Sequence, residues 1–308
     1  MNNFEILILA LVLDAIIGEP RFLWSRIPHP AVLMGRGVDW IDQRLNSGGM
    51  LIVKGALGLT LLCVAAAGLG ILIGLLPDQG VVECIVAAIL LAHRSLVDHV
   101  RAVARALGQS IEEARYAVSL IVGRDTAELG ESDVARAAIE SAAENFSDGV
   151  IAPAFWFLLF NLPGLFIYKM VNTADSMIGH MDERYVLFGR AAARLDDWMN
   201  WIPARITGGL LCIVGMKRGA WELIREEAQF HRSPNAGWPE AATAASLGIA
   251  LAGPRTYAGQ TTMDMFINGS GRRVLAAQDI RRAIWLLWKG WAALIVILAV
   301  LAGIVAIA

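Results

Sequence analysis

At 308 residues the chain could hold one large or two ordinary domains, and 56% of it is hydrophobic, above the usual share for a globular protein. A formal charge of -2, with no basic stripe set among aromatics, excludes the usual signature of a nucleic-acid partner. Cys63, Cys84 and Cys212 all lie in apolar segments without metal-ligand spacing, so neither a disulfide framework nor a zinc site is expected.

Met1 to Ile17 carries Glu5 and Asp14 and is followed by no small-residue cleavage site, so residues 4–17 read as a first, weak span. Punctuation then dominates: Gly18-Glu19-Pro20, Pro28-His29-Pro30 and Gly35-Arg36-Gly37. Two prolines fix His29 on extended backbone, where a surface turn histidine is the simpler reading. Arginines 21, 26, 36 and 44 place this loop in the cytoplasm. Residues 55–76 are uncharged and cross back, Pro77-Asp78-Gln79-Gly80 turns, and 81–97 returns. From His93 to Gly149 the pattern is that of amphipathic cytoplasmic helices. Gly123-Arg124-Asp125-Thr126 interrupts it, with Thr126 a candidate cap for the next helix. Arg124 could grip a phosphate or carboxylate there, or pair with Asp125 or Glu128 at the surface.

Asp133 to Asp148 winds so that Asp133, Arg136, Glu140, Glu144, Ser147 and Asp148 share one face. Carboxylates at 140, 144 and 148 repel one another by a few tenths of a kcal/mol per pair, and a bound cation would remove that repulsion. Residues 150–171 are long enough to span, yet Asn161-Leu162-Pro163-Gly164 is a turn sequence, so two half-length helices and a re-entrant hairpin are expected. Lys169, Asn172, Ser176, Gly179 and Glu183 continue it as a polar stripe, with Asp175 beside them. Over 188–201 a second stripe holds Arg190, Arg194, Asp197 and Trp201, and Pro203 is expected to end that helix. Residues 203–216 and 241–252 are too short to cross unaided. Between them, His231 to Glu240 forms a long turn leading into a helix start, where free N–H groups suit an anion; Asn235 and Trp238 are candidate ligand contacts. A final span covers 283–306. The reading is an all-α, multi-pass membrane protein, one domain over 1–308, with a re-entrant or broken helical hairpin and amphipathic cytoplasmic helices.

With these segments in view the chain resembles the adenosylcobinamide-phosphate synthase family of cobalamin biosynthesis. The resemblance is carried by Leu13-Asp14 with Gly18-Glu19-Pro20, Pro28-His29-Pro30, Val122-Gly123-Arg124-Asp125-Thr126, Glu140-Ser141 with Glu144-Asn145, and Ser147-Asp148-Gly149. It continues through Val171-Asn172-Thr173 with Asp175-Ser176, Phe188-Gly189 with Ala193-Arg194-Leu195-Asp196-Asp197, and Ser233-Pro234-Asn235-Ala236-Gly237-Trp238-Pro239-Glu240. It implies a multi-pass ligase of the cell (inner) membrane that uses ATP to join aminopropanol, usually as its phosphate, to the last free propionate of adenosylcobyric acid.

The chemistry of such a reaction, laid on the residues, gives the expected site. ATP with Mg²⁺ would activate the carboxylate, and Glu140, Glu144 and Asp148 would hold the metal. Arg124, Arg190 and Arg194 would grip phosphates, with Arg194 closest to the chemistry; Asp175 or Asp197 would take the proton of the incoming ammonium. Lys169, Asn172, Asn235 and Trp238 would contact substrate, and the corrinoid would lie against 150–171. No Walker A sequence is present. Besides these small molecules and membrane lipid, a second copy or other membrane enzymes of the pathway are partners left open. The competing class is a membrane corrinoid carrier or sensor without turnover.

Overall fold

The structure, a computed structural model, describes every residue but 218, 258, 259, 263 and 308, and only the backbone of 21, 255–257, 260 and 261. Helices dominate it. In chain order they are α1 (Asn3–Ile17), α2 (Arg21–Trp24), α3 (Pro30–Leu45), α4 (Leu51–Gly74), α5 (Val81–Leu90), α6 (His93–Ala106), α7 (Ile111–Ser119) and α8 (Glu131–Phe146). A π turn (Ser147–Ile151) joins α8 to α9 (Ala152–Ile178), followed by α10 (Arg190–Gly215), α11 (Ala220–Glu227) and α12 (Gly237–Leu247). Short strands β1 (Leu251–Ala252), β2 (Arg255–Tyr257), β3 (Gln260–Thr262) and β4 (Phe266–Ile267) precede α13 (Ala277–Ile307). β1 pairs with β4 and β2 with β3, both antiparallel.

Three helical stretches are long and apolar enough to cross a membrane: α4, the continuous 131–178 stretch and α13. The expected all-α membrane class is therefore met. The first and third correspond to the anticipated 55–76 and 283–306. Residues 81–97 do not form one helix, because Leu91 adopts extended backbone between α5 and α6. The reason is a cap from far along the chain: the Asp14 carboxylate accepts the His93 N–H at 2.9 Å and so fixes a new helix start.

The chain divides into two compact units. The first comprises Met1–Arg94, Ala152–Asn200 and Leu298–Ala308; the second comprises Ser95–Ile151 and Trp201–Ile297. In the first, α4 packs along α9, with α1, α3 and α5 around them. The turn sequence inside α9 does what its residues require. Asn161 sits at φ 54°, ψ -147°, breaking the helix in two, and its side-chain oxygen accepts the Leu162 N–H at 2.6 Å to start the second half. Close approach of α4 at this break needs Gly70: a Cβ there would lie 2.7 Å from the Pro163 nitrogen. Pro203, expected to end its helix, instead lies inside α10. Proline removes the N–H that would bond the Met199 carbonyl, and that carbonyl accepts from Trp156 Nε1 at 3.1 Å. His29 is half-buried and caps α3, its Nδ1 accepting from Ala31 N at 3.2 Å with Pro30 at the first helical position.

The second unit is built on α8, which packs with α7, α12 and β1. Thr126 caps no helix; α8 starts after Gly130.

Candidate functional site

The polar stripe of α8 is a seam between helix and backbone. Arg136 and Glu140 lie one turn apart, about 6 Å along a helix axis, which nearly matches the roughly 6.6 Å between alternate residues of an extended strand. Arg136 Nη1 donates to the Ala250 carbonyl, Arg136 Nη2 to that of Arg273 at 2.6 Å, and Glu140 Oε1 accepts the Ala252 N–H at 2.7 Å. Ala252 holds φ 56°, a left-handed conformation that alanine adopts at a cost. The other Glu140 oxygen, Oε2, accepts from Arg124 Nη2 at 3.0 Å, and both side chains are more than nine-tenths buried. Arg124 therefore pairs with neither Asp125 nor Glu128, as a surface reading would have it, but with a carboxylate 16 positions away.

The carboxylates expected to hold the metal, Glu140, Glu144 and Asp148, differ in their surroundings. Both oxygens of Glu140 are engaged, and Asp148 lies in the π turn, whose wider winding rotates it out of the 100° register. Among the described residues no group of three or more His, Cys, Asp or Glu side chains is placed to hold a metal ion.

A cleft of ≈ 170 Å³ lies between the 121–124 turn and α8, bordered by Arg124, Glu140, Ser141, Glu144, Asn145 and Glu240. Its walls are tied down. Ser141 Oγ donates to the Ile121 carbonyl at 2.7 Å, Asn145 Nδ2 donates to Ser141 O at 2.9 Å, and His231 Nε2 lies 3.3 Å from Glu240 Oε1. Arg124 Nε is buried without a hydrogen-bond partner. An unsatisfied buried donor costs about 1–3 kcal/mol, which an acceptor entering the cleft offsets. At this size the cleft takes a small polar molecule, not a corrin.

The turn before α12 holds Asn235, which is buried, and Trp238. Trp238 is engaged within the protein: the Arg205 guanidinium lies 4.7 Å from its ring centroid and 4.2 Å from that of Trp201.

In the first unit α9 and α10 meet in a hydrogen-bonded chain to which the expected stripes contribute only Asn172. Tyr168 donates to Asn200 Oδ1 at 2.9 Å, Asn200 Nδ2 to Asp196 Oδ2 at 3.0 Å, and Asn172 Nδ2 to Asp196 Oδ1 at 3.3 Å. Burial, then the nearby charge of Asp175, pushes the Asp196 carboxyl up to about 7, against the pull of the two asparagine donors. Asp196 was missed as a site residue. The trace it left was spacing, Asp196 with Asn200 and Tyr168 with Asn172, each four apart, but nothing local showed that the two helices meet there. Asp197, its neighbour, is exposed, as are Arg190 and Arg194. Neither arginine forms a hydrogen bond or ion pair among the described residues, so the salt-bridge ladder one would suspect of such a pair is absent from them. Lys169 and Asp175 lie half-buried on α9. Burial holds the His29 imidazole below its ordinary pKa, with Glu19 pulling it up and the Lys169 charge adding to the lowering.

Apolar helices of spanning length, one of them broken at Asn161, define a helical membrane protein. Residues 7–287 match the family described as CobD/Cbib protein, and the chain belongs to that family. It is 50% identical over 302 residues to "Cobalamin biosynthesis protein CobD" of Brucella suis biovar 1, covering 92% of each chain. Proteins of the same name in Sinorhizobium fredii (45% over 314 residues, 97% of this chain and 96% of the other) and Rhodobacter capsulatus (39% over 318 residues, 98% of each) are also similar. No solved structure matches.

Proposed function

We propose that the chain is the ligase of cobalamin biosynthesis that joins aminopropanol phosphate, or aminopropanol, to the free propionate of adenosylcobyric acid at the expense of ATP. Support comes from the family, whose relatives carry that pathway in their name, and from one observation above all: the buried Arg124, committed to Glu140 through one nitrogen, keeps Nε unpaired beside a small cleft that also contains Glu144. An arginine and an exposed glutamate in ≈ 170 Å³ suit a small zwitterion. Aminopropanol phosphate is one, with its phosphate toward Arg124 and its ammonium toward Glu144.

A carboxylate acylates amines poorly. The reaction therefore runs through transfer of the γ-phosphoryl group of ATP to the propionate, after which the amine displaces phosphate from the acyl phosphate. Mg²⁺ enters with the nucleotide phosphates as part of that substrate. The amine must lose a proton before it attacks, and a carboxylate facing its ammonium is the suitable acceptor. Arg190 and Arg194, exposed and unpaired among the described residues, are assigned to anionic groups of the nucleotide. The active site is assigned to the cytoplasmic side of the inner membrane, where ATP is.

Purified protein in detergent, supplied with adenosylcobyric acid, aminopropanol or its phosphate, ATP and Mg²⁺, is expected to yield the amide with one nucleotide consumed per product. Corrinoid binding with no product from either amine would replace this reading with a carrier.

A further inference from the structure

We propose that the start of the last membrane helix carries a binding site for the phosphate headgroup of an anionic phospholipid. On α13, Arg281, Trp285 and Lys289 recur every four residues and so form one stripe, with about 6 Å between successive members. They border a cleft of ≈ 390 Å³ whose other side is made by Gly215, Ser246 and Leu247. That volume lies within the range of sites that hold a small ligand. Among the described residues no aspartate or glutamate lines it.

The cations there are of two kinds. Arg282 is structural, donating to Asp279 Oδ1 at 3.2 Å and to the Leu247 carbonyl at 3.0 Å. Asp279 is in turn 2% exposed and also held by Arg272. Among the described residues Arg281 donates only to Gln278 Oε1, at 3.2 Å, and Lys289 makes no hydrogen bond or ion pair. Among the described residues, two exposed cations thus lack an acidic partner beside this cleft.

Their position on the helix selects a lipid over a soluble anion. From 290 to 307 the chain has no charged residue, so Lys289 stands inside a helix of spanning length, two turns beyond Arg281. Its flexible stem lets the ammonium reach back to headgroup depth. Trp285, 63% exposed between the two cations, is the residue type that settles at the membrane interface. Val296, on the same face one further stretch along and 61% exposed, offers an acyl chain an apolar track. A phosphodiester at the cleft with its tails along α13 satisfies all four side chains together.

The test titrates detergent-purified protein with phosphatidylglycerol and with phosphatidylcholine of the same chain length, reading bound lipid by native mass spectrometry. Phosphatidylglycerol is expected to bind more tightly. Removing both cations in Arg281→Gln/Lys289→Gln should weaken it by about fivefold per charge, roughly 25-fold for the pair, while phosphatidylcholine is unchanged. Both side chains are exposed, so folding should survive; Lys289→Gln alone, with its expected fivefold loss, keeps the test open if the pair misfolds. Equal affinity for the two lipids, or an unweakened variant, overturns the site. Displacement of the lipid by equimolar inorganic phosphate or glycerol phosphate overturns the lipid assignment in favour of a soluble anion.

Discussion

Glu140→Gln and Glu144→Gln change the same group one turn apart on α8, and the structure assigns them opposite consequences. The Glu140 carboxylate is 6% exposed and faces Arg124 at 3.0 Å while accepting the Ala252 N–H at 2.7 Å. Glutamine keeps the second bond through its oxygen. It then turns an NH₂ donor toward the Arg124 donor and leaves a guanidinium buried without its counter-charge. Breaking a buried pair in this way costs about 3–5 kcal/mol, and with one bond retained the lower end is expected. Glu144 is exposed, and its removal relieves a like-charge contact with Glu140 of a few tenths of a kcal/mol. Thermal unfolding in detergent should place Glu140→Gln roughly 6–12 °C below wild type, and Glu144→Gln within about 2 °C of it. The double variant Arg124→Gln/Glu140→Gln should cost little more than Glu140→Gln, because the two changes share one interaction. A Glu140→Gln protein that melts with the wild type would refute the buried pair as a structural anchor.

Four other outcomes rest on the same geometry. Arg124→Lys keeps the charge opposite Glu140 but loses the fork's second donor, so KM for aminopropanol phosphate should rise roughly tenfold or more, with that for aminopropanol unchanged. An equal rise for both amines would remove the phosphate from Arg124. The folded pKa of Asp196 is raised from 3.8 to about 7, so its contribution to stability is fully present below pH 4 and lost as pH climbs through about 7; Asp196→Asn should abolish that decline in denaturant titrations, and a pH slope identical to wild type would count against the shifted carboxyl. Gly70→Val drives a side chain into the Leu162–Pro163 backbone and should sharply lower the yield of folded protein, whereas Gly68→Val, with no atom near its Cβ position, should be tolerated; equal yields would contradict the close packing of α4 on α9. A cysteine placed at Asp182 is expected to resist impermeant reagents added outside intact cells, and labelling there would reverse the proposed orientation of that loop.

Composition and short-range pattern determined a good part of this protein. Long uncharged runs announced α4 and α13, since the cost of burying charge in lipid leaves few alternatives for such segments. Asn161-Leu162-Pro163-Gly164 announced the break in α9, because the residues that make it are those whose own backbone preferences forbid a straight helix. The ordered motifs were sufficient to mark the family.

What the tertiary structure decided was which partner each polar side chain meets. Glu140, Glu144 and Asp148 look equivalent on a helical wheel; only folding brings an N–H from Ala252, 112 positions away, to one of them, and only the π turn carries another off the face. Residues 81–97 read as one span until Asp14, 79 positions earlier, caps the His93 N–H and divides it. Sequence placed Asp197, not Asp196, on the polar stripe of α10. Burial between α9 and α10, and then the charge of Asp175, raise the Asp196 carboxyl. Periodicity fixes which face of an element is polar, but the free energy of a buried charge depends on what stands opposite, and that is set by chain segments far away in sequence.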